Sequence, residues 1–130
     1  AVRVPARPAG VLLRAYKVSK RFDQDISTVF ACFAIAVDAG RIVRVRVGCG
    51  GVAAVPARAR RTEAALEGRP FAEATFDVAA RVLAEEFTPI DDMRASAGYR
   101  RTVLGNLLRR FWHETGATHG APVRVADVAG

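Results

Sequence analysis

The sequence is short of nearly every group from which catalytic and metal sites are usually assembled. Its 130 residues include two cysteines, Cys32 and Cys49, and no CxxC pair. That excludes a zinc ribbon or an iron–sulfur nest built from this chain. The two histidines, His113 and His119, stand in no metal-ligand spacing, and no serine, cysteine and histidine arrangement supports a nucleophilic triad. No catalytic residue and no metal ligand are therefore assigned. No apolar run approaches the roughly 20 residues that span a bilayer. Residues 1–8 hold neither a methionine nor an apolar signal core, so neither membrane insertion nor export is expected. Reduced thiols in the cytoplasm are the expectation. Lysine is scarce as well, with only Lys17 and Lys20, so arginine carries almost all of the net charge of +7. Aromatics make up 8% of the chain and do not alternate with the arginines. The stacking platform of a nucleic-acid binder is missing, and nucleic acid is not expected as a partner.

What is present is a globular balance of 51% hydrophobic and 25% charged residues, enough for one buried core. Val11 to Val18 reads as a first strand, Thr28 to Val37 as a second and Arg41 to Val47 as a third. Asp38-Ala39-Gly40 is the turn of an antiparallel hairpin between the last two, with glycine where a positive φ is needed. In RIVRVRV, Val43, Val45 and Val47 fall on one face and Arg44 and Arg46 on the other, the alternation of a sheet with one wet side. In TVFACFAIAV, Val29, Phe33, Ile35 and Val37 oppose Phe30, Cys32, Ala34 and Ala36. Both faces are apolar, which suits a central strand or a face resting on another domain.

Beyond Pro56 the pattern turns helical. Ala57 to Leu66 is a first helix stopped by Gly68, and Glu73 to Phe87 a second, with Phe76, Ala79, Ala80, Leu83 and Phe87 on a stripe that Val78 and Val82 widen. The third runs from an N-cap at Ser96 to about Glu114, with Tyr99, Val103, Leu107 and Phe111 on its stripe and Leu104, Leu108 and Trp112 beside them. Strands followed by helices predict an α+β fold, a three-stranded antiparallel sheet with three helices on one face. The domain is expected to occupy residues 1–115, with a flexible tail over 116–130.

Several features carry a plain structural reading. The GCGG run at 48–51 lacks both GxGxxG spacing and the lysine of a P-loop. It suits a tight exit from the sheet or a close backbone approach to a ligand or domain. Asp91 and Asp92 suit capping of the third helix or an arginine pair rather than acid–base work. His113 stands where a cation meets the helix dipole, and Cys32 reads as a small core residue. The loop after the first strand gathers Lys17, Lys20, Arg21, Asp23 and Asp25 within nine residues. It is either a solvated loop or a site whose lysine donates to a carbonyl or phosphate oxygen. Residues alone also leave open a basic binding or interaction module without catalytic activity.

Three segments occur in a telling order: AYKVSKRFDQDIS at 15–27, GCGGVAAVPARA at 48–59, and PIDDMRASAGYR at 89–100 with NLLRRF at 106–111. Together, over residues 2–112, they resemble the C-terminal domain of the flavin subunit of bacterial xanthine dehydrogenases. Carbon monoxide dehydrogenase and aldehyde oxidase flavoproteins share this domain, and the RFDQDIS form points to the xanthine dehydrogenase branch. The resemblance implies an oxidoreductase of the molybdenum hydroxylase class, in which a molybdenum cofactor on another subunit oxidises a purine. Electrons then pass through two 2Fe-2S clusters to FAD and on to NAD. FAD is implied to sit mainly in an N-terminal domain, with iron–sulfur domains as further partners. Lys17 matches a lysine that approaches the flavin. Arg21, Asp23, Gln24 and Asp25 match the charged loop beside the flavin and the NAD approach, with Gln24 where some relatives carry an acidic residue. The isolated chain is expected to fold, yet neither to hold FAD tightly nor to turn over.

Overall fold

The structure, a computed structural model, describes residues 1–4, 6, 10–19, 28–92 and 95–116. Four strands form one antiparallel sheet in the order β1-β2-β3-β4: β1 Val11–Val18, β2 Val29–Asp38, β3 Arg41–Gly50 and β4 Ala57–Arg58. Three helices follow: α1 Arg60–Leu66, α2 Glu73–Glu86 and α3 Ala97–Thr115. The expected α+β class and the order of strands before helices hold. α1 and α3 pack on one side of the sheet, and α2 packs against both. The tail expected from 116 onward lies, from residue 117, outside the described residues.

The β2–β3 hairpin closes through a two-residue loop. Asp38 pairs with Arg41, and Ala39 and Gly40 adopt φ of 50° and 75°. Two consecutive positive φ values are the requirement of the type I′ turn that matches strand twist. Just beyond it lies a feature absent from the expected alternation. Ala36 pairs with Arg44 while Val37 pairs with Ile42, so Val43 is an extra residue in β3. This bulge turns the side chains over by one position. Ile42 is fully buried and Val43 is 52% exposed. The inward set is thus Ile42, Val45, Val47 and Cys49 rather than a set starting at Val43.

β2 is central, as its two apolar faces suggested. Val29, Ala31, Phe33 and Ile35 are buried beneath the helices, while Cys32, Ala34 and Ala36 are half-buried on the opposite side. β3 does not stop at Val47, because Gly48 to Gly50 continue the ladder. Gly48 pairs with Arg58 and Cys49 with Ala57. Those two pairings draw Ala57 and Arg58 into β4, and α1 begins only at Arg60. Tertiary hydrogen bonding here overrides the helical preference of an Ala-Arg-Ala-Arg run. Gly68 does follow α1 with φ 79°, and its N–H donates to the Ile42 carbonyl at 2.7 Å.

α2 ends at Glu86 and buries Phe76, Ala79, Ala80 and Leu83; Val78, expected to widen that stripe, is exposed. α3 is capped by Ser96, whose Oγ accepts from the Tyr99 N–H at 3.0 Å. Its buried stripe runs through Arg100, Leu104, Leu107, Leu108, Phe111 and Glu114, leaving Tyr99 half-exposed. The stripe is rotated toward Arg100 because that guanidinium serves the loops on either side. It donates to the Gly51 carbonyl at 2.6 Å and to Asp92 Oδ1 at 2.7 Å. Asp91 accepts from the Ala97 N–H. The two aspartates are helix-capping and arginine-pairing groups, as expected.

Between sheet and helices the aromatic rings form a continuous series. Tyr16 touches Phe33 with 6.1 Å between centroids, Phe33 touches Phe111 at 5.7 Å, and Phe111 stacks on Phe76 at 5.9 Å. Such pairs add about 0.5–1.5 kcal/mol each beyond the area they bury. They join β1 to the helical layer through side chains that are almost wholly dehydrated.

Candidate functional site

β1 sends alternate side chains to opposite sides of the sheet. Tyr16 pairs with the buried Ala31 and faces the helices, while Lys17 pairs with the exposed Phe30. Phe30 in turn pairs with Gly50. Lys17, Phe30 and Gly50 therefore form one row across three strands on the face turned away from the helices. Lys17 is exposed near the end of β1. The Thr28 N–H closes that end by donating to the Val18 carbonyl at 2.7 Å. Arg21, Asp23, Gln24 and Asp25 fall outside the described residues, so of the expected flavin-side group the structure places Lys17.

Along the edge of β1 a cleft of about 350 Å³ opens between this strand and α3. Its polar wall is a cluster that the sequence reading did not single out. Glu114, only 3% exposed at its side chain, accepts from the Tyr16 hydroxyl at 2.7 Å and from Arg110 Nε at 2.8 Å. Arg14 Nε lies 3.7 Å away, and the Arg110 guanidinium sits 4.9 Å from the centre of the Tyr16 ring. One buried carboxylate is thus held by two arginines and a phenol, the compensation a dehydrated charge requires. Burial, then the hydrogen bond to Glu114 and its negative charge, push the Tyr16 phenol well above its ordinary range, against the lowering influence of Arg110 and Arg14. The hydroxyl stays a donor. A signal for the cluster was present: Glu114 lies seven residues beyond Leu107 and three beyond Phe111, on the buried stripe of α3, and four beyond Arg110.

A second buried carboxylate joins sheet to helix at the other end. Glu63 Oε1 accepts from the Val47 N–H at 3.0 Å, and Arg58 Nη2 donates to Oε2 at 2.7 Å. Burial works to raise the Glu63 carboxyl, but the bonds from Arg58 and the Val47 N–H outweigh it and leave it lowered. Glu86, at the end of α2, accepts from the N–H groups of Arg61 and Thr62 and from the Thr62 hydroxyl. It caps α1, whose N-cap residue Ala59 has no side chain for the purpose. These contacts are architectural.

Neither thiol is activated as a nucleophile near neutral pH. Burial, with smaller contributions from Glu86 and Cys32, pushes Cys49 up to about 12, and burial also raises Cys32. Among the described residues no three His, Cys, Asp or Glu side chains gather to hold a metal ion. Among the same residues no helix is long and apolar enough to cross a membrane. The described face that carries Lys17 can bring a cation and an apolar surface to something outside the chain.

An antiparallel sheet with its helices on one side and a lysine-bearing open face defines an α+β domain of two layers. The comparisons give that class a family. Residues 14–115 match the model of the CO dehydrogenase flavoprotein C-terminal domain. The chain is 35% identical over 118 residues to nicotinate hydroxylase hnxS of Emericella nidulans, covering 87% of this chain and 9% of that protein. Xanthine dehydrogenase of the same organism is 32% identical over 117 residues, with the same coverage of 87% and 9%. Among solved structures, carbon monoxide dehydrogenase from Hydrogenophaga pseudoflava, in a form lacking the Mo-pyranopterin moiety, superposes with a TM-score of 0.79 at 26% identity. That match takes in 88% of this chain and 39% of the other. The chain belongs to the CO dehydrogenase flavoprotein C-terminal domain family. It spans less than a tenth of the length of the two curated relatives.

Proposed function

We propose that the chain is the flavin-covering domain of a molybdenum hydroxylase of the xanthine dehydrogenase branch, contributing Lys17 to the border of an FAD held by other polypeptide. The observation that carries this reading is the placement of Lys17, exposed at the end of β1 on the face away from the helices, within the span that matches the flavoprotein family. The RFDQDIS run supports the xanthine dehydrogenase branch. Residues 1–115 are taken as the domain.

The described residues fit a border contact with FAD. They offer an exposed lysine in line with a partly exposed ring, Phe30, and the sequence has no glycine fingerprint for a dinucleotide. FAD when bound supplies the electron-transfer chemistry between one-electron and two-electron partners. Lys17 orients its positive charge toward the ring edge and favours negative charge there. The hydrogen-bonded Tyr16–Glu114–Arg110 cluster fixes the strand from which Lys17 projects, and the Arg21–Asp25 segment, outside the described residues, enters this reading only through its resemblance to the charged loop beside the flavin and the NAD approach. In this reading the molybdenum cofactor, the 2Fe-2S clusters and the purine pocket belong to partner subunits or domains in the cytoplasm, and NAD receives the electrons.

The test is Lys17→Ala in the complete enzyme, followed by the flavin midpoint potential and by the NAD half-reaction. A lowered potential with FAD content retained supports the reading. Unchanged potential and unchanged half-reactions refute it.

A further inference from the structure

The sheet face opposite the helices is apolar through its middle and basic along its sides. Phe30 and Leu13 are each 38% exposed on it, and Cys32 is half-buried beside them. Between Phe30, Gly48, Gly50, Pro56 and Ala57 this surface hollows into an open apolar cleft of about 540 Å³. By strand register the face also carries Lys17, Arg44 and Arg46, while its one strand carboxylate, Asp38, sits at the hairpin end opposite Arg41. Arg58, on the rim of the cleft, is paired with Glu63.

The glycines under the cleft set this surface apart. Gly51 is needed by the chain itself, because it has φ 79° and a Cβ there would lie 2.4 Å from the Thr28 carbonyl oxygen. Gly48 and Gly50 have no such reason. Neither has a positive φ, a Cβ on Gly48 would meet nothing within 4 Å, and one on Gly50 would meet only the Phe30 Cβ, at 3.6 Å. Glycine weakens a strand interior, and its use marks a bulge, a bend or a close approach from outside. Gly48 and Gly50 lie in regular register with Cys32 and Phe30, which leaves a close approach that none of the described residues makes.

We propose that this face is the seat of the flavin-holding polypeptide, received as an apolar segment flanked by carboxylates that lies with its backbone against Gly48 and Gly50. The proposal rests on the reading that Lys17 borders FAD. Lys17, Phe30 and Gly50 share one row, so a flavin at the lysine brings its holder over the cleft. Two further observations choose the occupant. The chain corresponds to 39% of the matched carbon monoxide dehydrogenase chain, so about three-fifths of such a chain is further polypeptide available to cover this face. Among the described strand residues of the face, Arg44 and Arg46 have no carboxylate in register beside them, since Asp38 is opposite Arg41, and this calls for an acidic counterpart.

Cys32 reports on this face, because it pairs with Gly48 there while Cys49 is buried on the other side. The experiment is the rate of N-ethylmaleimide labelling of Cys32, at alkaline pH, in the 130-residue chain and in the assembled flavoprotein with and without FAD. The proposal expects labelling in the free chain and a fall of at least about tenfold in the assembly, since reaction then needs local opening. The protection should persist when FAD is removed. Gly48→Leu should restore labelling in the assembly while leaving the melting temperature of the free chain unchanged. Equal labelling in free and assembled forms overturns the proposal, and so does protection that vanishes with FAD, which would mean that the flavin itself covers the face. The Lys17 reading fails separately, through an unchanged flavin potential.

Discussion

The Tyr16 hydroxyl donates to Glu114 at 2.7 Å across a separation of 98 residues, joining the first strand to the last turn of the last helix. The contact closes the fold end to end and sets the strand from which Lys17 projects. Tyr16→Phe should lower stability by about 1 kcal/mol. Glu114→Ala should cost more, about 1–3 kcal/mol, because the phenol loses its partner and Arg14 and Arg110 lose the carboxylate between them. Urea unfolding of both variants and of the double variant checks this. A double-variant loss well below the sum of the two single losses is expected, since the residues share one interaction.

The hairpin turn carries a strain that can be relieved. Ala39 stands at φ 50°, where a Cβ is penalised and where type I′ turns prefer asparagine or glycine. Ala39→Asn should raise stability by about 0.5–1 kcal/mol with no change in the far-ultraviolet circular dichroism spectrum. A loss of stability would show that the turn is not of this type.

Neighbouring glycines should respond oppositely. Gly51→Ala forces a Cβ to within 2.4 Å of the Thr28 carbonyl oxygen at a positive φ, and should cost the free chain about 1–3 kcal/mol. Gly48→Ala meets nothing within 4 Å and should leave the melting temperature unchanged or slightly raised. Thermal unfolding of the two variants side by side decides the matter.

Acid should weaken the sheet–helix junction through Glu63. Its carboxyl titrates lower in the folded chain than in the unfolded chain, where the ordinary value is about 4.3. The stabilising contribution is therefore complete above that value and is lost as pH falls through the lower folded-state value. Glu63→Gln should be clearly less stable than the parent near neutral pH, and the gap should shrink steadily below about pH 4. Denaturant midpoints measured across that range test the sign.

Much of this architecture was legible in the residues, and the exceptions have physical causes. Val11 to Val18, the hairpin and the Ser96 cap follow from patterns that local physics enforces. The bulge at Val43 left no mark, because Ile42 and Val43 are both β-branched and either suits an inward position. β4 escaped notice because an Ala-Arg run prefers helix until the glycine end of β3 offers it a ladder. Arg100 and Glu114 occupy core positions that a hydrophobic count assigns to apolar side chains. Each is buried with one partner from far along the chain, Gly51 for Arg100 and Tyr16 for Glu114, which completes a nearer pairing with Asp92 or Arg110. Of the candidate site, Lys17 was singled out by its motif, and the fold sets it exposed near the end of β1. The openness above Gly48 and Gly50 emerged only from the fold, where, among the described residues, a Cβ on Gly48 meets nothing within 4 Å and one on Gly50 meets only the Phe30 Cβ.

The central claim is that Lys17 brings its charge to a flavin, and the flavin midpoint potential in the complete enzyme tests it most directly. An ammonium at contact distance contributes about 1–4 kcal/mol between the aqueous and partly buried limits, which for a two-electron couple is about 20–90 mV. Lys17→Ala should lower the potential by an amount in that range while Lys17→Arg restores most of it, with FAD content equal in all three proteins. Potentials that coincide for the parent and Lys17→Ala would contradict the account.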